Sequence, residues 1–266
     1  MRETLSLMWF LVQLRVRTRL EYRAGLVVAW LAQAFGYTGV FASIWVIVAR
    51  FEHIGGWTWP EVALLLGFHV LSYAIGASLT FVQLRNMEDQ VRQGTFDVLL
   101  VRPINPWAYL CFSGINIEYG GHVALGLVLL AWSLPQLAID WSWLTVLQLL
   151  LSFLSSAILT GAIITMVAAT ALILGRSRYL FGIYFSFWEL ARYPLPIFGA
   201  PLQALLLTVV PLGFMAYVPV AALLGKPVPF LGDYAGLGAI LAGPLAALAA
   251  IWFWRFCLQR YQGAGG

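Results

Sequence analysis

Residues 85–106 read RNMEDQVRQGTFDVLLVRPINP, a charged island between two strongly apolar segments. Its charged side chains are Arg85, Glu88, Asp89, Arg92, Asp97 and Arg102. Each charge would cost roughly 2.5–3.5 kcal/mol at the centre of a bilayer, so the island cannot lie in hydrocarbon. It therefore predicts a water-facing loop, and the apolar segments on either side of it predict an all-α polytopic membrane fold.

The composition of the 266-residue chain indicates an integral membrane protein. Hydrophobic residues make up 62% of the chain and charged residues 10%, and the mean hydropathy is +0.87. A soluble domain has about 25% charged and about 45–50% apolar residues. The two cysteines, Cys111 and Cys257, lack the spacing of a disulfide framework or a metal site, so no bound metal is expected.

Six membrane spans are predicted, because about 20 apolar residues cross the hydrocarbon core. They lie near residues 25–49, 61–84, 107–132, 143–174, 179–198 and 234–256. Of the 15 lysines and arginines, all but Arg50, Arg192 and Lys226 then fall on one side of the membrane. Basic loops favour the cytoplasm, so both termini and the island are expected there.

Residues 199–226 complicate this count, because they are apolar enough to span on their own. Pro201, Pro211 and Pro219 break the segment into short pieces, which favours a re-entrant or external helical hairpin before the last span. A seventh, proline-kinked span is the alternative.

Residues 1–24 form a separate element from the transmembrane domain predicted for residues 25–266. Apolar side chains recur there at three- and four-residue spacing with arginines beside them. This pattern is typical of an amphipathic helix that lies along the inner leaflet. A simple N-terminal extension of the first span is the alternative.

Polar residues inside the predicted spans are candidates for a transport pathway, because an ionisable group in a membrane is a functional candidate by default. Glu118 and His122 lie four residues apart, on one helix face where they could hydrogen-bond. Glu189 and Arg192 are three residues apart and can pair in the same way, although such a pair is equally consistent with a structural brace. His69 is isolated in the second span.

Aromatic residues crowd the fifth predicted span and are the second set of pathway candidates. They would line a cavity for a hydrophobic substrate, although packing against lipid is the commoner role of such a stripe. The set consists of Phe181, Tyr184, Phe185 and Trp188.

Catalysis by this chain is not expected. An intramembrane protease needs a Ser/His pair, paired aspartates in its spans or a HExxH metal motif, and the sequence contains none of these. The GxxxxGK[ST] phosphate-binding loop is also missing, so the chain would not hydrolyse ATP by itself.

Three stretches resemble the permease subunits of type-2 ABC exporters, and in particular a six-span branch formerly of uncharacterised function. Residues 92–106, RQGTFDVLLVRPINP, are similar to its "R.G..D..L.RP.N" loop between the second and third spans. Residues 191–226, which begin ARYPLPIFGAP and end VPVAALLGK, resemble its "ARYP…P…NYYPA..LLG" segment. The ending RFCLQRYQGAG at 255–265 resembles its "W..GLRRYQSAG" tail.

The resemblance implies a half-transporter in the plasma membrane of a prokaryote, which moves a drug, lipid or peptide outward by alternating access. Two permease subunits, identical or homologous, would assemble in the bilayer with two cytoplasmic ATPase subunits. ATP and Mg²⁺ would be held by those ATPases and no cofactor by this chain, and nucleic acid is not an expected partner. A secondary transporter without an ATPase, or a non-transporting scaffold, is the alternative.

On this interpretation, the island at 85–106 couples the ATPases to the spans. A short helix around residues 86–94 would present a charged docking face and stop at Gly94. Pro103 and Pro106 would set the extended return into the membrane. A solvated loop whose charges only set the topology is the alternative. The expected coupling residues are Glu88, Asp89, Arg92, Gly94, Asp97, Arg102 and Pro103.

Overall fold

The computed structural model describes residues 2–263, and within that range it is built from helices without a β-sheet. The α-helices in chain order are α1 (Arg2–Glu21), α2 (Arg23–Phe51), α3 (Trp59–Arg85), α4 (Met87–Arg92), α5 (Thr95–Leu100), α6 (Pro106–Ser113), α7 (Gly120–Ser133), α8 (Trp143–Ala169), α9 (Ala171–Leu174), α10 (Arg178–Leu190), α11 (Ala200–Leu207), α12 (Tyr217–Leu223) and α13 (Ala235–Gln259).

Five helical segments among the described residues are long and apolar enough to cross a membrane. They contain α2, α3, α7, α8 and α13, and their bounds are Arg23–Phe51, Trp59–Arg92, Ile117–Gln136, Trp143–Leu174 and Gly232–Gln259. The predicted all-α, multi-pass fold is therefore confirmed. The count of six spans is not confirmed, because no segment within the predicted fifth span, 179–198, is among these five.

Helix α3 lies at the centre of the molecule, between α7 and α8, while α13 packs along the far side of α8. The residues of α3 from Val62 to Ala74 are all buried. Close packing of α7 on α3 and of α13 on α8 depends on glycines that lack a side chain. A Cβ atom at Gly126 of α7 would lie 2.9 Å from the Leu71 Cβ of α3, and one at Gly243 of α13 would collide with the Ser155 carbonyl of α8.

The predicted third span, 107–132, consists of α6 and α7 in series, with a break at residues 114–116. The break has a tertiary cause that the local sequence does not show. The Asn116 N–H donates to the Ser78 carbonyl of α3 at 2.8 Å. The Gln83 side chain occupies the space where a Cβ at Gly114 would lie.

The predicted fifth span, 179–198, is also not one continuous helix. Helix α10 has 13 residues and rises about 20 Å, whereas the hydrocarbon core is about 30 Å thick. The helix ends at Leu190, and the chain turns before Pro194. This agrees with the rule that a residue directly before proline disfavours the helical conformation.

The segment 199–226 forms short helical pieces, as its prolines predict. They are α11, a 3₁₀ turn at Leu212–Met215 and α12, and the longest has 8 residues. Tyr217 and Val218 of α12 are buried. At the end of the segment, the Lys226 ammonium pairs with Glu61 at 3.0 Å, beside the start of α3.

Two contacts mark opposite ends of the molecule and show how the broken segment runs. Arg178, at the start of α10, pairs with Asp89, which lies just past the end of α3. Lys226 instead pairs with Glu61 in the first turn of α3. Between Arg178 and Lys226, the chain therefore travels once along the length of α3 by way of α10, α11 and α12.

Helix α1 is separate from α2, because the chain bends at Tyr22 (φ −102°, ψ 43°). It packs against α6, and the Arg19 guanidinium pairs with the Glu118 carboxylate at 2.7 Å. Trp9 and Phe10 remain exposed. A distinct N-terminal helix is thus present, and its position along the inner leaflet remains a prediction.

Candidate coupling site

The predicted short helix in the charged island is present as α4, which is followed immediately by α5. Gly94 separates the two helices with a left-handed φ of 68°. This conformation costs an L-residue roughly 1 kcal/mol or more, but glycine adopts it freely. Gly94 therefore has the predicted role of ending α4, and it also sets the direction in which α5 begins.

Glu88 bonds the island to the start of α10. One carboxylate oxygen accepts from the backbone N–H groups of Ser177 and Arg178, each at 2.8 Å. The first N–H groups of a helix lack intrahelical acceptors, and a negative charge at that end is favourable. Glu88 is only 8% exposed. It was predicted as part of a charged docking face, and the structure corrects this placement because the carboxylate bonds to backbone N–H groups inside the protein.

Asp89 reinforces the same junction from the surface. Its carboxylate pairs with the Arg178 guanidinium at 2.7 Å, and both side chains are partly exposed. An exposed ion pair contributes about 0–1 kcal/mol. The junction between the two loops, 85–106 and 175–178, is therefore held mainly by the buried bonds of Glu88.

Phe96 anchors α5 to the last helix. Its ring is fully buried and lies edge-on to Trp254, at 6.5 Å between centroids, and to Tyr261, at 5.4 Å. Phe96 was not among the coupling residues predicted from the sequence. Phe96 and Leu99 are three residues apart and so lie on one face of α5, and this spacing could have indicated that the face is turned toward the protein interior.

The exposed part of the island combines charge with apolar side chains. Arg92, Arg102 and Pro103 are exposed, and their role in coupling stays a prediction. Val101 is 83% exposed and Val98 is 53% exposed, and neither was predicted as a site residue. A mixed surface of this kind is typical of a protein contact, because apolar area supplies affinity and charge supplies specificity.

The end of the island returns to the membrane through a capped helix. The Asn105 side chain accepts from the Ala108 N–H at 3.0 Å, and Pro106 occupies the first turn of α6. The Arg102 guanidinium lies 5.2 Å from the centre of the Tyr109 ring. Asp97 is half-buried and faces the tail at Gly263.

The predicted polar pathway residues do not form one site. Glu118 and His122 do not bond to each other, because Glu118 pairs with Arg19 and His122 Nδ1 lies 2.8 Å from the Gln33 Oε1 atom. This prediction was wrong because Glu118 lies in a 3₁₀ turn, Ile117–Tyr119, before α7 begins.

The pair predicted at the end of α10 is present. Glu189 and Arg192 lie 3.5 Å apart, and the Arg192 guanidinium also lies over the Trp188 ring at 5.4 Å. His69 is buried against the same indole, with 4.6 Å between ring centroids. These contacts fasten the end of α10 to α3 and are consistent with a structural brace.

The aromatic residues of α10 are packed inside the protein. Phe181 and Phe185 lie against Phe81, while Trp188 lies against Tyr73 at 4.8 Å. A cavity of about 660 Å³ lies elsewhere, between α3, α6, α8 and α13, and none of the four predicted residues Phe181, Tyr184, Phe185 and Trp188 lines it. A role for these four residues in lining a substrate cavity stays a prediction.

The described residues contain no group of three or more His, Cys, Asp or Glu side chains that would hold a metal ion. Both cysteines, Cys111 and Cys257, are buried and free. The contacts of the island at 85–106 described above are hydrogen bonds, ion pairs and aromatic packing.

The fold and the site define a multi-pass helical membrane protein, in which a charged loop after the second long helix is attached to α10 and α13. Residues 35–265 match the ABC-2 family transporter proteins, and the chain belongs to this family. It is a membrane permease of an ABC-type transporter, a transport component that typically pairs with ATPase subunits and is typically not catalytic itself. No curated protein and no solved structure matches the chain.

Proposed function

We propose that the chain is the permease subunit of an ATP-driven exporter and moves a hydrophobic or amphipathic compound out of the cell by alternating access. The observation that carries the proposal is the double attachment of the charged island. Glu88 joins it to the start of α10, and Phe96 joins it to the end of α13.

The attachment supports a mechanical role for the island. Helix α4 follows α3 after a single residue, Asn86, so a displacement of α4 is transmitted directly to the central helix. The bonds of Glu88 transmit the same displacement to α10, and the packing of Phe96 transmits it to α13. A force applied to the exposed residues would therefore reach three membrane segments together, as alternating access requires.

The proposed assembly contains two ATPase subunits and a second permease, identical or homologous, in the plasma membrane of a prokaryote. We propose six crossings, formed by the five long segments and the broken path between Arg178 and Lys226. The island and both termini then lie in the cytoplasm. The resemblance of residues 92–106 to an exporter loop supports the outward direction.

Charge reversal on the island tests the proposal. The chain would be co-expressed with an ABC ATPase encoded beside it, and co-purification and permease-stimulated ATP hydrolysis would be measured. Arg102→Glu should lower both co-purification and permease-stimulated ATP hydrolysis about tenfold, because a reversed charge at an interface costs about 1.4 kcal/mol or more. Arg50→Glu is the matched control, since Arg50 is also exposed but lies at the opposite end of the molecule, at the end of α2.

The same experiment separates the alternatives. A chain that transports a compound alone, driven by an ion gradient, would be a secondary transporter. If the wild-type chain co-purifies with the ATPase but does not change the rate of ATP hydrolysis, it would be a scaffold. Equal effects of Arg102→Glu and Arg50→Glu would contradict the coupling role of the island.

A further inference from the structure

A lateral groove of about 660 Å³ lies between α3, α6, α8 and α13, and Trp254, the α13 contact of Phe96, is among its lining residues. Pockets of about 300–1,000 Å³ are the usual size for small-molecule and cofactor sites. The groove is lined largely by apolar side chains, among them Leu79, Trp107, Ala157, Ala247 and Ala250.

The two threonine hydroxyls of the lining are already bonded within the protein. The Thr165 hydroxyl donates to the Gly161 carbonyl at 2.8 Å and accepts from the Trp107 indole N–H at 3.1 Å. The Thr80 hydroxyl donates to the Gly76 carbonyl at 2.8 Å. Because these groups have partners, the interior of the groove favours an apolar occupant over a polar one.

The groove opens sideways on helices that are long enough to cross a membrane. Ile75 of α3, Leu154 of α8 and Ile251 of α13 all line it, and each has 40% or more of its side chain exposed. An opening framed by exposed apolar side chains on such helices faces the hydrocarbon of the bilayer. The contents of the groove can therefore exchange with lipid.

The positively charged side chain of Arg255 lies at one end of the groove. Arg255 lines it, is exposed, and takes part in none of the ion pairs among the described residues. It lies near the end of α13 that contacts Phe96, whereas Ala247 lines the deeper part. From Ala247 to Leu258, α13 rises about 16 Å, close to half of the ~30 Å hydrocarbon thickness.

We propose that this groove binds one acyl chain of an anionic phospholipid, with the phosphate on Arg255. The apolar lining matches the acyl chain, the length matches a single leaflet, and the unpaired guanidinium matches an anionic headgroup. The proposal concerns lipid binding within one protomer and does not rest on the proposed export function, so it can fail or succeed independently of ATPase coupling.

Photolabelling in vesicles tests this site. The full chain would be reconstituted in phosphatidylcholine vesicles that contain a trace of phosphatidylglycerol with a diazirine at mid-chain, and labelled peptides would be mapped by mass spectrometry. Labels should concentrate at 154–165 and 247–258. Ala247→Phe, which fills the groove, should reduce them at least fivefold. Ala249→Phe is the matched control, since Ala249 is exposed on the same helix and does not line the groove.

Two further variants are needed. One fills the groove at a position where misfolding is not expected, and the other tests whether the guanidinium recognises the anionic headgroup. Ile251→Trp fills the groove from its exposed rim, where a larger side chain is tolerated, and should also reduce labelling. Arg255→Gln should lower labelling by the phosphatidylglycerol probe to the level of a zwitterionic phosphatidylcholine probe. The proposal is overturned if Ala247→Phe and Ala249→Phe label equally. It is also overturned if the wild type labels equally with both probes.

Discussion

At the scale of single residues, the Glu88 carboxylate connects two segments that lie 89 positions apart in the sequence. Glu88→Gln retains the shape of the side chain but removes the charge at the start of α10. We expect it to lower the free energy of unfolding by about 1 kcal/mol, the usual contribution of a negative charge at the start of a helix. Thermal or denaturant-induced unfolding in detergent, followed by tryptophan fluorescence, would measure the loss.

Asp89→Asn is the matched control for this prediction. Asp89 is the next residue of the same helix, and its ion pair with Arg178 is partly exposed, so its loss should cost less than that of Glu88. A larger loss for Asp89→Asn than for Glu88→Gln would show that the surface pair, and not the buried cap, holds the junction.

At the scale of elements, the turn between α4 and α5 depends on the left-handed conformation of Gly94. Gly94→Ala should destabilise the protein by about 1 kcal/mol, because alanine is strained at φ 68°. It should also lower the ATP hydrolysis coupled to the permease, since the turn directs Phe96 toward α13. Unfolding in detergent and hydrolysis by the purified complex would be measured side by side.

Gly182→Ala provides the comparison at the same scale. Gly182 lies within α10, is exposed, and has open space where a Cβ would be added. Alanine is favoured over glycine inside a helix by about 1 kcal/mol, so this variant should be as stable as the wild type or more stable. If Gly94→Ala proved equally harmless, the turn would not be needed to position α5.

The elements also show what the sequence could predict. Apolar runs located α2, α3, α8 and α13, and Gly94 located the turn in the island, because these signals are local. The break at Asn116 depends on its bond to Ser78 in another helix, and the inward orientation of Glu88 depends on Ser177. The lateral groove is lined largely by small and aliphatic residues that carry no local signature. Such features arise only when distant segments pack together.

At the scale of the whole molecule, the charged island is attached to α3, α10 and α13, while α8 packs between α3 and α13. The exposed side chains of the island are therefore the point at which an outside force would act on the membrane segments together. Val101 is the most exposed apolar side chain of the island, at 83%. If an ATPase docks there, the two proteins must be in contact at this residue.

Photocrosslinking from position 101 tests this contact most directly. A photoreactive phenylalanine at Val101 should crosslink the chain to its ATPase subunit in the purified complex. The same group at Val209, which is 75% exposed within the 199–226 segment, should give no such product. A complex that co-purifies but crosslinks equally from both positions, or from neither, would contradict the coupling role of the island.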